Sequence, residues 1–402
     1  MVEDKSNIKS KFPELAEFHE MTYHCTKCYN CIFINPYFVQ NEDRYYGCPS
    51  GLYYKYDAYH SGGKMEIARG LIEEELAPTE KLAEIFYACT LCGLCESNCE
   101  FTIELKPTEV FEAMRRRLVK DGLTRPEHEA FSKSISEKHN AYNEDHAKRT
   151  KWLKTIGVEV KPQAETLYFV GCTSSYRTKE IAEATATIFQ KLRIDFTISP
   201  DEWCCGSPLL RTGRNEEVNE LMKHNMDLIK STNAKQVVFS CAGCYRVFKK
   251  DYEEQFGDTD VKLLHVSEFL DDLHEKGKIK LNRKEAVVTY HDPCHLGRHV
   301  KVYDEPRNMI EAVPGTILDE MDRITMNAWC CGAGGGVKSA FKDFALKTSE
   351  ERIREAELTR ADILLSCCPF CKVNLDDGVK KSKSDLKVMD LTEYLQDIIE
   401  GE

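Results

Sequence analysis

Four cysteines spaced Cys89-x2-Cys92-x2-Cys95-x3-Cys99 put four soft thiolates within residues 89–99, and the tight turns between them aim the sulfurs at one point. Iron–sulfur ligation is the chemistry such a run performs. Zinc is the alternative, but zinc sites normally use two separated CxxC knuckles or mix in histidine. A second run, Cys25-x2-Cys28-x2-Cys31, is completed at a distance by Cys48. Further along, Cys172, Cys204-Cys205 and Cys241-x2-Cys244 are echoed by Cys294, Cys330-Cys331 and Cys368-x2-Cys371, offset by 122–127 residues. Two adjacent side chains cannot easily bind one ion as independent ligands without distorting the backbone. Five thiols are also one too many for a tetrahedral ion or a cubane. Each set therefore points to a multi-iron site with several places to attach, with a zinc site carrying a spare thiol as the runner-up.

In two-cluster ferredoxins the fourth cysteine of each run serves the other cluster. Applied here, one set is Cys25, Cys28, Cys31 and Cys99, and the other is Cys89, Cys92, Cys95 and Cys48. Pro49 follows Cys48 as that pattern expects; Glu100, not proline, follows Cys99, and the departure bears on geometry rather than on the existence of the second site. Sets of four, four, five and five use all but one of the 19 cysteines. Cys367 is left over and reads as a small buried hydrophobe.

Two ferredoxin-like runs followed by two complete CCG modules form an order that resembles the D-subunit family of heterodisulfide reductases; in related enzymes the same content is divided between the C and B subunits. Strings that carry the likeness are Trp203-Cys204-Cys205-Gly206-Ser207-Pro208, His291-Asp292-Pro293-Cys294-His295-Leu296-Gly297-Arg298 and Cys330-Cys331-Gly332-Ala333-Gly334-Gly335-Gly336. The resemblance implies two cubane [4Fe-4S] clusters near the N-terminus and a noncubane [4Fe-4S] cluster in each module. Cys172, Cys204, Cys205, Cys241 and Cys244 would hold one noncubane cluster, and Cys294, Cys330, Cys331, Cys368 and Cys371 the other. The two would face one another and cleave the disulfide of coenzyme M and coenzyme B. Electrons would come from an electron-donor partner: a flavoprotein of the A-subunit type, a ferredoxin or a membrane cytochrome b. The substrate's sulfonate and phosphate need cations, for which Arg177, Arg211, Arg214, Arg298 and Lys338 stand near cysteine motifs. CCG domains also occur in iron–sulfur subunits of glycolate, lactate and glycerol-3-phosphate oxidising complexes, which gives the alternative of a pure electron-transfer subunit. A zinc-scaffolded interaction protein is the remote alternative.

The elements that must position these cysteines follow from periodicity. Met65–Leu76, with Ile67, Leu71, Ile72 and Leu76 on one face, and Val110–Leu118, with Arg and Glu on its outer side, read as helices ended by Pro78 and Gly122. Residues 123–163 read as a charged helical linker docked by Trp152 and Leu153. Beyond it, continuous apolar runs such as Leu167–Val170, Gln236–Ser240, Ala286–Tyr290 and Asp362–Ser366 alternate with helical stretches, including Lys179–Leu192 and Glu216–Leu228. This is the signature of a parallel sheet covered on both faces. The expected fold is an α-helical ferredoxin-like domain over 1–122, the linker, and duplicated α/β, Rossmann-like CCG modules over 164–280 and 281–402, with most cysteines just past strand ends.

A formal charge of −12 disfavours nucleic acid and anionic lipid as principal partners. Met1–Lys5 begins no apolar signal segment, and no stretch reaches the length of a membrane helix, so a cytoplasmic protein is expected, at most peripheral to a membrane through a partner. His291 and His295 flank Cys294 and are candidates for hydrogen bonding to a cluster sulfur; His24, beside Cys25, reads as structural or solvated. Gly332–Gly336 lacks the Lys-Ser/Thr ending of a phosphate loop, and close packing at the cluster accounts for it better.

Overall fold

Residues 11–122 carry helices joined by turns and, among the described residues, no strand beyond the single bridge Phe33–Tyr46. Helix Ser61–Ile72 buries Met65, Ala68, Leu71 and Ile72, and helix Pro107–Lys120 buries Val110, Phe111, Met114 and Leu118. These side chains, with Phe86 and Leu91, make a small core of their own. The computed structural model describes residues 11–39, 41–100, 104–257 and 260–401, so the opening Met1–Lys5 lies outside them. The first helix ends earlier than periodicity suggests. Glu74 turns left-handed at φ 61°, and the Glu75 and Leu76 amides donate to the Gly70 carbonyl at 2.8 and 2.9 Å. Leu76 therefore folds back over Gly70 and is 45 % exposed instead of joining the helix face. The second helix ends as expected, with Gly122 at φ 72°.

The connection carries helix Pro126–Lys138, and Trp152 and Leu153 enter the main core. It is more than a solvated linker, since Asn140 and Arg149 are buried within it.

The first four-stranded sheet contains β1 (Thr166–Phe169), β2 (Phe196–Thr197), β3 (Gln236–Phe239) and β4 (Lys262–His265), all parallel and ordered β2-β1-β3-β4. After a short β5 (Lys280–Leu281), the second sheet repeats the plan. It contains β6 (Ala286–His291), β7 (Thr316–Leu318), β8 (Ile363–Ser366) and β9 (Lys387–Asp390), all parallel and ordered β7-β6-β8-β9. Finally β10 (Ile399–Glu400) pairs antiparallel with β5. Phe169, Val238, Phe239, Leu364 and Leu365 are fully buried, each such side chain contributing ~1.5–3 kcal/mol. One continuous core runs through both sheets.

The repeated tails of the two modules are strand-to-helix junctions. His265 and Asp390 end β4 and β9 and cap the following helices, Val266–Glu275 and Leu391–Leu395. In each, a glutamate three residues on, Glu268 or Glu393, accepts the cap backbone N–H at 2.8 Å, a reciprocal capping box.

Candidate metal centre

In a sheet ordered β2-β1-β3-β4 the chain winds away from β1 and β3 in opposite directions, opening a crevice at their carboxyl ends. Cys172 and Cys241 lie just past those ends, and Cys294 and Cys368 just past the matching ends of β6 and β8. The crevices converge into one line of neighbouring thiols. Cys172 meets Cys204, then Cys205, Cys244 and Cys241. Cys241 meets Cys368 of the other module, and the line continues through Cys371, Cys331 and Cys330 to Cys294. Cys92, from the helical region, neighbours Cys330.

The N-terminal thiols gather as well. Cys25, Cys28, Cys31 and Cys99 line one pocket with Lys27, Tyr29 and Met65. Cys48 lies near Cys31, Cys89 and Cys92, and Cys95 near Cys31, Cys92 and Cys89. Lys27, Tyr29 and Leu91 adopt left-handed backbone at φ 56°, 62° and 52°. Such residues cost of order 1–3 kcal/mol each and persist where a site imposes them.

These thiols fit a polynuclear iron centre. Burial pushes Cys31 up to about 12, with Cys48 adding to it, and pushes Cys48 up to about 11. The Cys95 and Cys172 thiols also rise, Cys95 chiefly by burial and Cys172 first through its contact with Cys204. Thiolates crowded in a dry site need a cation, and a coordinated metal supplies it while displacing the protons. Gly171, at φ 76°, keeps space open here, because a Cβ on it would stand 3.0 Å from Cys244 Sγ.

His291 is fully buried, and one of its ring nitrogens lies within 4.8 Å of Cys331 Sγ and Cys371 Sγ. Arg352 Nε donates to its Nδ1 at 3.2 Å. His295 is half-buried, with its ring 4.9 Å from that of His299, whereas His24 is exposed. Cys367 is fully buried as expected and has a polar neighbour in the Tyr290 hydroxyl.

All five candidate cations are engaged. Arg177 pairs with Glu144 at 2.9 Å, Arg211 with Glu112 and Asp251 at 2.7 and 2.6 Å, Arg214 with Glu217 at 2.7 Å, and Lys338 with Asp377 at 2.6 Å. Arg298 is a clamp, donating to the carbonyls of Cys92 at 2.7 Å and Ala328 at 2.7 Å.

Arg115, which its helix pattern places on the outer face, is instead fully buried at the junction of three regions. It donates to the carbonyls of Phe86 and Cys89 at 2.7 and 2.6 Å, of Arg211 at 2.6 Å and of Gly335 at 2.8 Å. The glycine run serves the same seam: a Cβ on Gly334 would stand 2.8 Å from the Thr90 carbonyl oxygen, and one on Gly335 2.6 Å from that of Cys89. The run thus packs on the second cysteine turn of the helical region. Arg149 is a second arginine that sequence reasoning misses; it donates to Glu202 Oε1 at 2.6 Å and to Cys172 Sγ at 3.5 Å. No periodic signal marks either arginine, since each lies in a basic stretch typical of a solvated surface.

Residues 166–249 and 288–376 match the cysteine-rich CCG domain, and residues 21–103 match the 4Fe-4S dicluster domain. The D subunit of the dihydromethanophenazine:CoB–CoM heterodisulfide reductase of Methanosarcina acetivorans is 39 % identical over 381 residues, covering 91 % of each chain. The B subunit of the fumarate reductase (CoM/CoB) of Methanothermobacter marburgensis is 30 % identical over 92 % of this chain and 71 % of its own. A solved structure of a hypothetical protein from Helicobacter pylori aligns over 84 % of this chain and 67 % of its own with TM-score 0.52 and 10 % identity, a likeness of fold alone. Carrying a 4Fe-4S dicluster domain, two CCG domains and this identity over nine-tenths of its length, the chain belongs to the D-subunit family of heterodisulfide reductases, iron–sulfur oxidoreductase subunits.

Proposed function

We propose that the chain is the catalytic subunit that reduces the disulfide of coenzyme M and coenzyme B. The observation that carries this reading is the unbroken line of thiols from Cys172 to Cys294, joined between modules at Cys241 and Cys368. Cys172, Cys204, Cys205, Cys241 and Cys244 hold one noncubane [4Fe-4S] cluster, and Cys294, Cys330, Cys331, Cys368 and Cys371 hold its twin. Two cubane clusters take Cys25, Cys28, Cys31 and Cys99, a pairing supported by the shared pocket, and Cys89, Cys92, Cys95 and Cys48. When bound, such clusters supply electrons singly, so two of them suit the two-electron cleavage of a disulfide.

The chain's own residues set the arrangement. The two crevices bring the five-cysteine sets side by side, so that the two sulfurs of one substrate can each meet one set. The helical region hands electrons to the second module where Cys92 neighbours Cys330, a reading supported by Arg298 on the Cys92 carbonyl and Arg115 on the Cys89 carbonyl. His291, backed by Arg352, orients Cys331 and Cys371. The buried walls around both sets exclude water. The units follow the boundaries 1–122, 123–163, 164–280 and 281–402. The donor is a partner protein carrying flavin, a ferredoxin or a membrane cytochrome b, and the chain works in the cytoplasm or against the inner face of a membrane through that partner.

The likeness to the EtfAB:quinone oxidoreductase of Syntrophomonas wolfei, 29 % identical over 83 % of this chain and 50 % of its own, supports a second reading, an iron–sulfur subunit of another oxidoreductase complex that passes electrons without binding a disulfide. Anaerobic purification with metal and sulfide analysis, followed by EPR with and without the disulfide, separates the readings. The proposal expects ~16 iron per chain from four [4Fe-4S] clusters and a spectrum altered by the disulfide. Full iron with a spectrum indifferent to disulfides favours the second reading. Zinc in place of iron sinks both and returns the zinc scaffold.

A further inference from the structure

The two five-cysteine sets share their order and nearly their sequence spacing but differ in what touches their first member. Arg149 comes from the connection before the first module and is 1 % exposed. Its guanidinium Nη1 donates to Glu202 Oε1 at 2.6 Å, and its Nη2 reaches Cys172 Sγ at 3.5 Å and the His139 carbonyl at 3.4 Å. Its planar face lies 5.4 Å from the Tyr176 ring. Glu202 is held in turn, accepting the backbone N–H groups of Val170 at 2.8 Å and Gly171 at 2.9 Å, the two residues before Cys172. Carboxylate, guanidinium and the strand end that presents Cys172 thus form one rigid unit.

The second module has no equivalent among the described residues. Where Glu202 precedes Trp203-Cys204, Ala328 precedes Trp329-Cys330. Among the described residues no side-chain N–H is bonded to Cys294 Sγ; Arg298, the cation beside it, spends its Nε and Nη1 on the carbonyls of Cys92, Met326 and Ala328, and its buried Nη2 bonds to no residue, so its charge acts on the second set through space and without a hydrogen bond to sulfur.

We propose that Arg149 is a positioning residue that makes the two modules electronically unequal, by donating a charged hydrogen bond to Cys172 and so raising the reduction potential of the first-module centre above what its cysteines alone would give. The inference rests on the proposed five-cysteine clusters. Its physics is general: a hydrogen bond from a cation to a ligand sulfur stabilises the more negative, reduced state, and outer partners of ligands set potentials as well as affinities. The paired Glu202 offsets part of the cation's charge, but the N–H donated to the sulfur remains, since the carboxylate bonds to the guanidinium and to the Val170 and Gly171 amides and leaves that donor on Cys172.

The test is an EPR-monitored potentiometric titration of the full chain, with the two module signals assigned by Cys205→Ala and Cys331→Ala. The variant is Arg149→Leu combined with Glu202→Gln, which leaves no buried charge unpaired. At the wild-type midpoint of the first-module signal, the ratio of reduced to oxidised centre should fall about tenfold, ~59 mV for one electron. The second-module and N-terminal signals should stay in place. Arg149→Lys, which keeps the charge but loses the fork, should fall between, and it carries the same comparison if the double variant does not fold. An unmoved first-module midpoint in protein with full iron overturns the inference, as does an equal shift of every signal. A wild-type chain with no iron at the five-cysteine sets overturns the proposed function itself, and that is read from metal content before any variant is made.

Discussion

Replacing Arg115 by methionine should loosen the helical region from both modules at once. The guanidinium is fully buried with no ion-pair partner among the described residues, and backbone carbonyls satisfy it instead. Two of its bonds cross region boundaries, to the Arg211 carbonyl at 2.6 Å and the Gly335 carbonyl at 2.8 Å. Hydrogen bonds from a charged donor contribute ~1.5–3 kcal/mol each, which makes ~3–6 kcal/mol gross across the seam. Burying an unpaired cation takes back part of this, and methionine retains most of the apolar stem, so the net loss at the seam is ~3 kcal/mol. Urea unfolding should show the helical region melting before the α/β part, and limited proteolysis should cut within 123–163 faster than in the wild type. Freeze-quench EPR should show electrons held in the N-terminal clusters. Arg115→Lys should recover less than half of the loss, because an ammonium cannot reach carbonyls on three sides. Unchanged unfolding and proteolysis in Arg115→Met would refute the clamp.

Three further outcomes follow from the site. Cys205→Ala and Cys331→Ala should each abolish disulfide cleavage while EPR shows the other module's signal intact, and the double variant should be no worse, as for groups that act together; near-normal turnover in either single variant would leave one module as a relay. Cys92→Ser should lose one cubane signal and turnover with the physiological donor, while a small artificial donor that reaches the module centres directly keeps most of its rate; equal loss with both donors, in protein that keeps its noncubane signals, argues against the wire. Asp390 is 1 % exposed and burial raises its carboxyl to about 8, so the native chain keeps a proton there that the unfolded chain releases near pH 4. The stability it contributes is present below pH 4 and lost as pH rises through 8. Asp390→Asn, which keeps the cap acceptor, should therefore gain a few kcal/mol relative to the wild type between pH 5 and pH 8.5 in chemical denaturation, and parallel pH profiles would count against it.

The cysteine sets, the duplication and the parallel sheets are legible in the sequence because each is written locally. Spacing of two and three residues fixes a thiol's neighbours, and four-residue apolar strands such as those holding Val237–Phe239 and Leu364–Leu365 announce burial on both faces. What escapes is long-range. Arg115 binds Gly335 across 220 residues and Arg298 binds Cys92 across 206, and no periodicity carries information over such distances. The same holds for the meeting of Cys241 with Cys368. Leu76 departs from its pattern for the opposite reason: its spacing fits the helix, but three successive glutamates, Glu73 to Glu75, form a poor final turn, and the chain closes on Gly70 instead.

Duplication gives the two modules equal cysteines, yet the residues behind them have diverged. Ser240, before Cys241, shares a hydrogen bond with the Tyr168 hydroxyl at 2.8 Å; at the matching place Cys367, before Cys368, lies against the Tyr290 hydroxyl. In the sheets, His265 pairs with Phe239 on β3 while Asp390 pairs with Ser366 on β8. Cys92 neighbours a thiol of the second module, and Arg149 one of the first. A perfectly symmetric pair would have no reason to fill one centre before the other, whereas charge and hydrogen bonding at each centre set its potential. On the proposed function, electrons arrive beside Cys330 and are drawn toward the side where Arg149 holds Cys172. If so, the repeat would supply a place for each sulfur of the disulfide, and the unequal backing would give the two single-electron steps a direction.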